Sequence, residues 1–152
     1  DTELKEVADI VEAAVAKGRP PGSFSIDARN ATNIAKVPRN SGDAAVRGRP
    51  APEAKYPVGR TIASEAEQNA AADRVVQALE EHGFQVKRVN QTQVGRIGRI
   101  GQNRPDIQVY SKKGRFFHVE IDGAGSARGL PHAERILNND PDAGVILVQF
   151  LR

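Results

Sequence analysis

Hydrophobic and polar residues alternate along two neighbouring runs of the chain, residues 106–110 and 116–122. Because successive side chains of a strand point to opposite faces of its sheet, this period of two predicts two β-strands. The polar segment Ser111-Lys-Lys-Gly114 between them predicts a hairpin turn, since glycine adopts a positive φ at no steric cost. One face of the first run carries Asp106, Gln108 and Tyr110, and one face of the second run carries Phe116, His118, Glu120 and Asp122.

The N-terminal part of the chain divides into one helix and an irregular segment. Apolar residues recur at helical spacing over residues 2–17, which predicts an amphipathic helix. Residues 20–56 are rich in Pro, Gly, Asn and Ser, which predicts irregular chain rather than a core element. We therefore predict an N-terminal helix with an irregular leader or linker over residues 1–58 and a main domain over residues 59–152.

The pattern of residues 59–152 predicts a sheet flanked by helices. Ser64 and Glu67 form a capping box that starts a helix running to about His82. The pattern also predicts a strand over 84–89, before the hairpin. After the hairpin it predicts a short helix over 130–137 and an apolar strand over 145–151. From residue 64 the predicted order is α, β, β, β, α, β. We therefore predict an α/β fold with a mixed sheet, of the α+β kind. The right-handed crossover rule sets the last strand parallel to the acidic one.

Composition narrows the chemistry that the chain can perform. The 152 residues contain three histidines and no cysteine, which excludes disulfides and thiolate metal sites. A catalytic metal would therefore be held mainly by oxygen ligands, with Mg²⁺ or Mn²⁺ as first candidates and Ca²⁺ and Zn²⁺ as further ones. The apolar runs are too short to span a bilayer. The chain begins at Asp1 and contains no Met, and we expect it to be part of a longer polypeptide.

Basic residues gather in one segment that contains no acid. Between Lys87 and Arg104 the chain has five Lys or Arg residues, within a polar loop that carries the repeat Gly95-Arg-Ile-Gly98-Arg-Ile-Gly101. Such a segment suits a polyanion, and the alternatives are a solvated basic loop or a long hairpin loop. The candidate nucleic-acid-binding residues are Lys87, Arg96, Arg99, Arg104, Lys112, Lys113 and Arg128.

Carboxylates on one strand face are unfavourable unless a cation neutralises them. Asp106 and Glu120 lie on adjacent predicted strands, and Glu65 faces the core side at the start of the helix before them. We predict that these three hold a divalent metal, which could support phosphodiester hydrolysis by activating a water and compensating phosphate charge. Gln108 is a candidate to hydrogen-bond the water or the phosphate. His118 is a candidate ligand or proton carrier.

Each of these residues also has a structural interpretation. Asp106 fits a Pro-Asp turn at the start of a strand. Glu65 fits a first-turn acid that the helix dipole favours. His118 fits an exposed strand residue, and Glu120 and Asp122 fit a solvated sheet face.

Pro105-Asp106 on one strand, Glu120-Ile-Asp122 on the next and Glu65 on the preceding helix together resemble the PD-(D/E)xK superfamily, the restriction-endonuclease-like nucleases, over residues 64–151. The resemblance implies a restriction-endonuclease-like αβββαβ core whose acids bind one or two divalent cations. Asp122 stands where that family has a Lys that orients the attacking water. It could add a metal ligand, but a cation must then come from elsewhere, unless the domain is inactive or uses a different mechanism. The candidate cations are Lys112, Lys113, Arg128 and Arg135.

The missing Met, the Pro-rich leader and the small nuclease-like domain also resemble the C-terminal toxin regions of contact-dependent inhibition and related polymorphic toxin systems. This resemblance implies secretion as the C-terminal part of a larger bacterial protein and action in the cytoplasm of a target cell. It further implies a cognate immunity protein, and a nucleic-acid substrate for which RNA, tRNA in particular, is favoured over DNA.

Two alternatives from other functional classes stay open at this point. One is a non-catalytic nucleic-acid-binding module that uses Arg96, Arg99 and Arg104. The other is a metal-independent ribonuclease that uses His118 or His132 with Lys112 or Arg115.

Overall fold

The computed structural model describes residues 1–33, 66–89, 93–95, 98–99, 105–126 and 128–151. In order, its elements are α1 (Thr2–Ala16), β1 (Phe24–Arg29), α2 (Ala66–Glu81), β2 (Gln85–Val89), β3 (Val94–Gly95), β4 (Gly98–Arg99), β5 (Ile107–Tyr110), β6 (Phe116–Asp122), α3 (Gly129–Asn139) and β7 (Gly144–Phe150). Five strands form one mixed sheet in the order β1-β7-β6-β5-β2, and β3 pairs with β4 in a separate hairpin.

The predicted acidic hairpin is confirmed as β5 and β6. The two strands are antiparallel, with Ile107 opposite Val119 and Tyr110 opposite Phe116. Gly114 adopts a φ of 82° in the connecting turn, a backbone conformation that residues other than glycine rarely adopt. β2 lies antiparallel beside β5, and β7 runs parallel to β6 as the crossover rule predicts.

Helices cover both faces of the sheet and build two apolar clusters. The larger cluster joins α1 and α2 to the face that carries Ile107, Phe117 and Val119. The smaller cluster joins α3 to the opposite face through Val145 and Leu147 of β7. Because residues of β6 alternate between these faces, His118 and Glu120 lie on the α3 side.

The prediction of irregular chain after α1 was wrong for residues 24–29, which form β1. This strand pairs antiparallel with β7, and Phe24 lies opposite Phe150. Its apolar residues alternate with polar ones, but the surrounding Pro and Gly outweighed this short pattern. β1 is thus an edge strand of the main sheet, and α1 and β1 pack into the same apolar core as α2. The predicted boundary near residue 58 lies outside the described residues.

The start of α2 and the polar loop before β5 differ in detail from their predicted form. Ser64, the predicted cap of α2, lies outside the described residues, and Glu67 instead forms a 2.6 Å ion pair with Arg19. The polar loop before β5 contains the β3–β4 hairpin. Just before β3, the side-chain amide of Gln93 donates a hydrogen bond to the carbonyl oxygen of Ile136 at 3.0 Å, which links this segment to α3. Among the described helices, none is long and apolar enough to cross a membrane.

Candidate functional site

Asp106 and Glu120 come together because of the pairing between β5 and β6. Asp106 directly precedes β5, and the register that sets Ile107 opposite Val119 places Asp106 beside Glu120 on the next strand. The Oδ2 atom of Asp106 accepts a hydrogen bond from the backbone N–H of Ile121 at 2.6 Å. Asp106 therefore stands at a strand start, as the Pro-Asp turn interpretation expects, but its carboxylate is directed onto the acidic strand.

Burial and mutual repulsion disfavour the charged forms of three carboxyl groups. Burial raises the pKa of Asp106 to about 7, and the charge of Asp122 acts in the same direction, against the N–H of Ile121 and the charge of Arg128. The pKa of Glu120 is raised well above its usual value, first by burial and then by Asp106 and Asp122. Burial also raises the pKa of Asp122. The three groups thus form one electrostatic cluster, which binding of protons or of a cation would stabilise.

Glu120 carries the clearest sign of an unmet interaction. Its side chain is only 5% exposed. The Oε1 atom has no hydrogen-bond partner among the described residues. Leaving a buried acceptor unpaired costs about 1–3 kcal/mol, and more for a charged group. The interpretation of Glu120 as part of a solvated sheet face is therefore wrong.

His118 is also fully buried, so its interpretation as an exposed strand residue is wrong. Burial lowers its pKa to about 3, and neither ring nitrogen has a hydrogen-bond partner within the described part of the chain. Its ring stacks against Phe116 with a centroid distance of 6.2 Å. A neutral imidazole without a partner or solvent contact is poorly placed to carry protons. Gln108, its neighbour across the strand pair, is equally buried.

The position of Arg115 does not favour the metal-independent ribonuclease alternative. Arg115 lies at the turn end of the hairpin, where it forms a 2.6 Å ion pair with Asp1 and donates to the carbonyl oxygen of Asp142. Its guanidinium is therefore already engaged away from the carboxylates. His132 is closer to them, because its charge acts on that of Asp122.

The first turn of α2 lies against the end of β6. The side-chain amide of Gln68, a buried residue, donates to the carbonyl oxygen of Ile121 at 3.4 Å. Gln149 donates to the carbonyl oxygen of Gly123 at 2.7 Å and fixes the next residues of the chain. Glu65 lies outside the described residues, directly before α2. Its predicted place in the site therefore stays a prediction, although the start of its helix is at the right end of β6.

The predicted basic residues separate into two groups. Lys112 and Lys113 occupy the hairpin turn, and the Nζ atom of Lys87 lies 5.6 Å from the ring centroid of Tyr110, near the same end. Phe116 at the turn and Asp122 are six residue steps apart along β6, which corresponds to about 20 Å. Both turn lysines are therefore too distant to supply the cation missing beside Asp122.

The other group lies near the acids or cannot be placed. Arg128 precedes α3, and its charge acts on Asp106 and Asp122. The charge of Arg135, on α3, acts on His132. Arg96 and Arg104 lie outside the described residues. For Arg99, in β4, only the backbone is described.

The chemistry of the donors fits a hard divalent cation, whereas their placement is not that of a finished ligand shell. Carboxylate oxygens are the ligands that Mg²⁺ and Mn²⁺ prefer, and Glu120 offers an unpaired one. Within the described ranges, however, no group of three or more His, Asp or Glu side chains converges closely enough to hold a metal ion.

Sequence reasoning missed one contact of the site, between Asp122 and the start of α3. The Oδ2 atom of Asp122 lies 2.6 Å from the position that a Cβ atom on Gly129 would take, and the backbone of Gly129 hydrogen-bonds the Asp122 carboxylate. The only sequence signal is the absence of a side chain at residue 129. Comparison with known proteins found no matching family model, no matching curated protein and no matching solved structure.

Proposed function

We propose that the chain is a divalent-cation-dependent nuclease that uses Asp106 and Glu120, with Glu65, as metal ligands. The observation that carries the proposal is the buried Glu120 carboxyl, with its Oε1 atom unpaired among the described residues, beside Asp106 on the adjacent strand. A buried carboxyl beside a second acid is costly for stability, so an arrangement of this kind favours a functional explanation.

The order and direction of the elements also support a restriction-endonuclease-like core. From α2 onward the main-sheet elements follow the order α2, β2, β5, β6, α3, β7. Successive strand pairs are antiparallel, antiparallel and parallel. This order supports the αβββαβ core that we propose from the resemblance, with the small β3–β4 hairpin inserted before the acidic strands.

In this proposal the residues of the chain bind and orient, while a bound cation would compensate phosphate charge and acidify a water molecule. The N–H of Ile121 fixes one oxygen of Asp106. Glu120 presents its unpaired oxygen from the rigid centre of the sheet. Gln68 holds the start of α2 against the backbone of β6. These contacts limit the motion of the acids and so favour one defined position for the scissile phosphate.

We further propose that this nuclease is a toxin domain, delivered into competing bacteria and neutralised by an immunity protein, with tRNA favoured over DNA as substrate. The support is the resemblance stated above and the basic segment between Lys87 and Arg104. To test this part, the growth of bacteria that produce the chain in their cytoplasm is compared with that of bacteria that do not. A toxin that lacks its immunity protein arrests growth.

The decisive experiment is incubation of the purified chain with total tRNA, plasmid DNA and linear DNA in Mg²⁺, Mn²⁺, Zn²⁺ or EDTA. We expect cleavage that requires a divalent cation and is lost in Asp106→Ala and in Glu120→Ala, with the circular dichroism spectrum unchanged. The matched control is Asp9→Ala, which removes an exposed acid on α1. Full activity in EDTA or in either site variant would reject the proposal. Salt-sensitive binding without cleavage would instead support a non-catalytic binding module.

A further inference from the structure

Three carboxyl groups at the site pose a problem for any phosphodiester substrate, because the substrate is itself an anion. From the positions described above, we infer that Arg128 is the phosphate-binding residue of this site. We infer further that the contact of Asp122 with Gly129 holds Arg128 in place. The inference rests on the proposed nuclease function and assigns the cation that β6 lacks.

The first support is the way in which Asp122 meets α3. Its Oδ2 atom lies against the Cα atom of Gly129, where a Cβ atom would be only 2.6 Å away, and the carboxylate hydrogen-bonds the backbone of Gly129. A carboxylate at a helix N-terminus is favoured by the free N–H groups and the helix dipole. This contact fixes the start of α3 beside the acidic strand, and Arg128 is the residue directly before it.

The second support is that local structure gives no reason for an arginine at this position. Arg128 is the N-cap residue of α3, and its side chain makes no capping hydrogen bond. Ser, Thr, Asp and Asn are the favoured N-caps, and a positive charge at the positive end of the helix dipole is unfavourable by a few tenths of a kcal/mol. Stability of α3 alone would therefore select a different residue.

The third support is the availability of the guanidinium. Arg128 is exposed, and its backbone N–H donates to the Oγ atom of Ser126 at 3.4 Å. Its guanidinium forms neither a hydrogen bond nor an ion pair with another described side chain, yet its charge acts on Asp106 and Asp122. A guanidinium that has no partner among the described side chains and lies near these carboxylates, at a fixed backbone position, suits bidentate binding of two phosphate oxygens.

Asp122 then has a positioning role rather than the role of a metal ligand. Its contact with Gly129 holds the start of α3 near the acids, so that Arg128 supplies the positive charge that β6 itself lacks. Removal of either partner should therefore impair the same step, and the two losses should not add in the double variant.

The test measures cleavage of whichever nucleic acid the wild-type chain cleaves, together with Mn²⁺ affinity and thermal stability, for Arg128→Ala, Arg128→Lys and Lys17→Ala. We expect Arg128→Ala to lower kcat/KM about 100-fold, with Mn²⁺ affinity and Tm unchanged. Arg128→Lys should recover part of the loss. Guanidinium chloride at a few millimolar should restore activity to Arg128→Ala but not to Asp106→Ala. Lys17→Ala, at an exposed position that follows α1, should stay within about threefold of wild type.

The outcomes separate this inference from the proposed function. A wild-type chain that cleaves no nucleic acid overturns both. A wild-type chain that cleaves, with Arg128→Ala equally active, overturns only the assignment of Arg128. Asp122→Ala, which removes the contact with Gly129, should match Arg128→Ala in activity and keep its Mn²⁺ affinity. Loss of Mn²⁺ binding in Asp122→Ala would make Asp122 a ligand and overturn its positioning role.

Discussion

The carboxylate of Asp106 accepts a 2.6 Å hydrogen bond from the backbone N–H of Ile121, the residue between the two acids of β6. A backbone donor thus fixes an acid from the start of β5 to the acidic strand. The hydrogen bond lowers the pKa of Asp106, but burial is the larger influence and the pKa stays at about 7. The site therefore holds its acids in a position that is unfavourable for their charge.

The first prediction is that Asp106→Asn stabilises the protein above neutral pH. The folded-state pKa of Asp106, about 7, exceeds the usual 3.8, so its stabilising contribution is complete below about pH 4 and is lost as pH rises through 7. The neutral amide removes this loss and keeps an oxygen for the N–H of Ile121. We expect a gain on the order of 1–2 kcal/mol at pH 8, measured by urea unfolding, together with loss of cleavage.

The matched control for this prediction is Asp9→Asn. Asp9 is an exposed acid in a surface ion pair with Lys5 at 3.1 Å, and such pairs contribute little to stability. We expect a change below about 0.5 kcal/mol at both pH 5 and pH 8. A loss of stability in Asp106→Asn at pH 8 would mean that the Asp106 carboxylate has a structural partner.

The second prediction is that Mn²⁺ raises the thermal stability of the protein, and does so more at pH 8 than at pH 5.5. Protons and the cation compete for the same carboxyl groups, whose pKa values are raised. A concentration of 100 times Kd should contribute about 2.7 kcal/mol. Differential scanning calorimetry measures the shift, which Glu120→Gln should abolish. An equal shift in Glu120→Gln would place the cation elsewhere.

The sequence predicted the acidic hairpin well because its information is local. One face of β6 must bury Phe117, Val119 and Ile121, so the period of two determines which face carries Glu120. The turn needs a residue at positive φ, and Gly114 supplies it. The pattern therefore predicts that Asp106 and Glu120 lie on the polar faces of two adjacent strands, and the strand register brings these faces together.

The features that the sequence did not predict depend on distant parts of the chain. β1 pairs with β7, at the other end of the chain, and its own pattern covers only six residues. His118 was expected to face solvent as one alternative, but α3 packs on that side of the sheet and His118 is buried. The contact between Asp122 and Gly129 arises from the path of the crossover helix, which no local pattern encodes.

The third prediction is that His118→Leu flattens the loss of stability in acid. The folded-state pKa of His118 is about 3, below the usual 6.5, so its stabilising contribution is complete above pH 6.5 and is lost as pH falls toward 3. At pH 5 this loss is about 2 kcal/mol, from 1.36 kcal/mol per pH unit. Leu cannot be protonated, so the difference in stability between variant and wild type should grow from pH 7 to pH 5.

Urea unfolding at several pH values measures this difference. His82→Leu is the control for the change of side chain, because His82 is exposed. Cleavage and Mn²⁺ binding by His118→Leu also decide its role at the site. If His118 is a ligand or proton carrier, the variant loses activity while its stability at pH 7 is unchanged or increased.

The fourth prediction is that a chain of residues 59–152 does not fold cooperatively. α1 buries Leu4, Val7, Val11 and Val15 against the sheet and α2. At about 1.5–3 kcal/mol for each side chain, their burial contributes about 6–12 kcal/mol, which is comparable to the whole stability of a typical domain. Without β1, the edge of β7 would also lose its partner strand. Circular dichroism during thermal unfolding should show no sigmoidal transition for the truncated chain, whereas full-length Glu12→Ala, an exposed change on α1, should unfold like wild type. A truncated chain that unfolds near the wild-type Tm and cleaves nucleic acid would show that residues 1–58 are a separable leader after all.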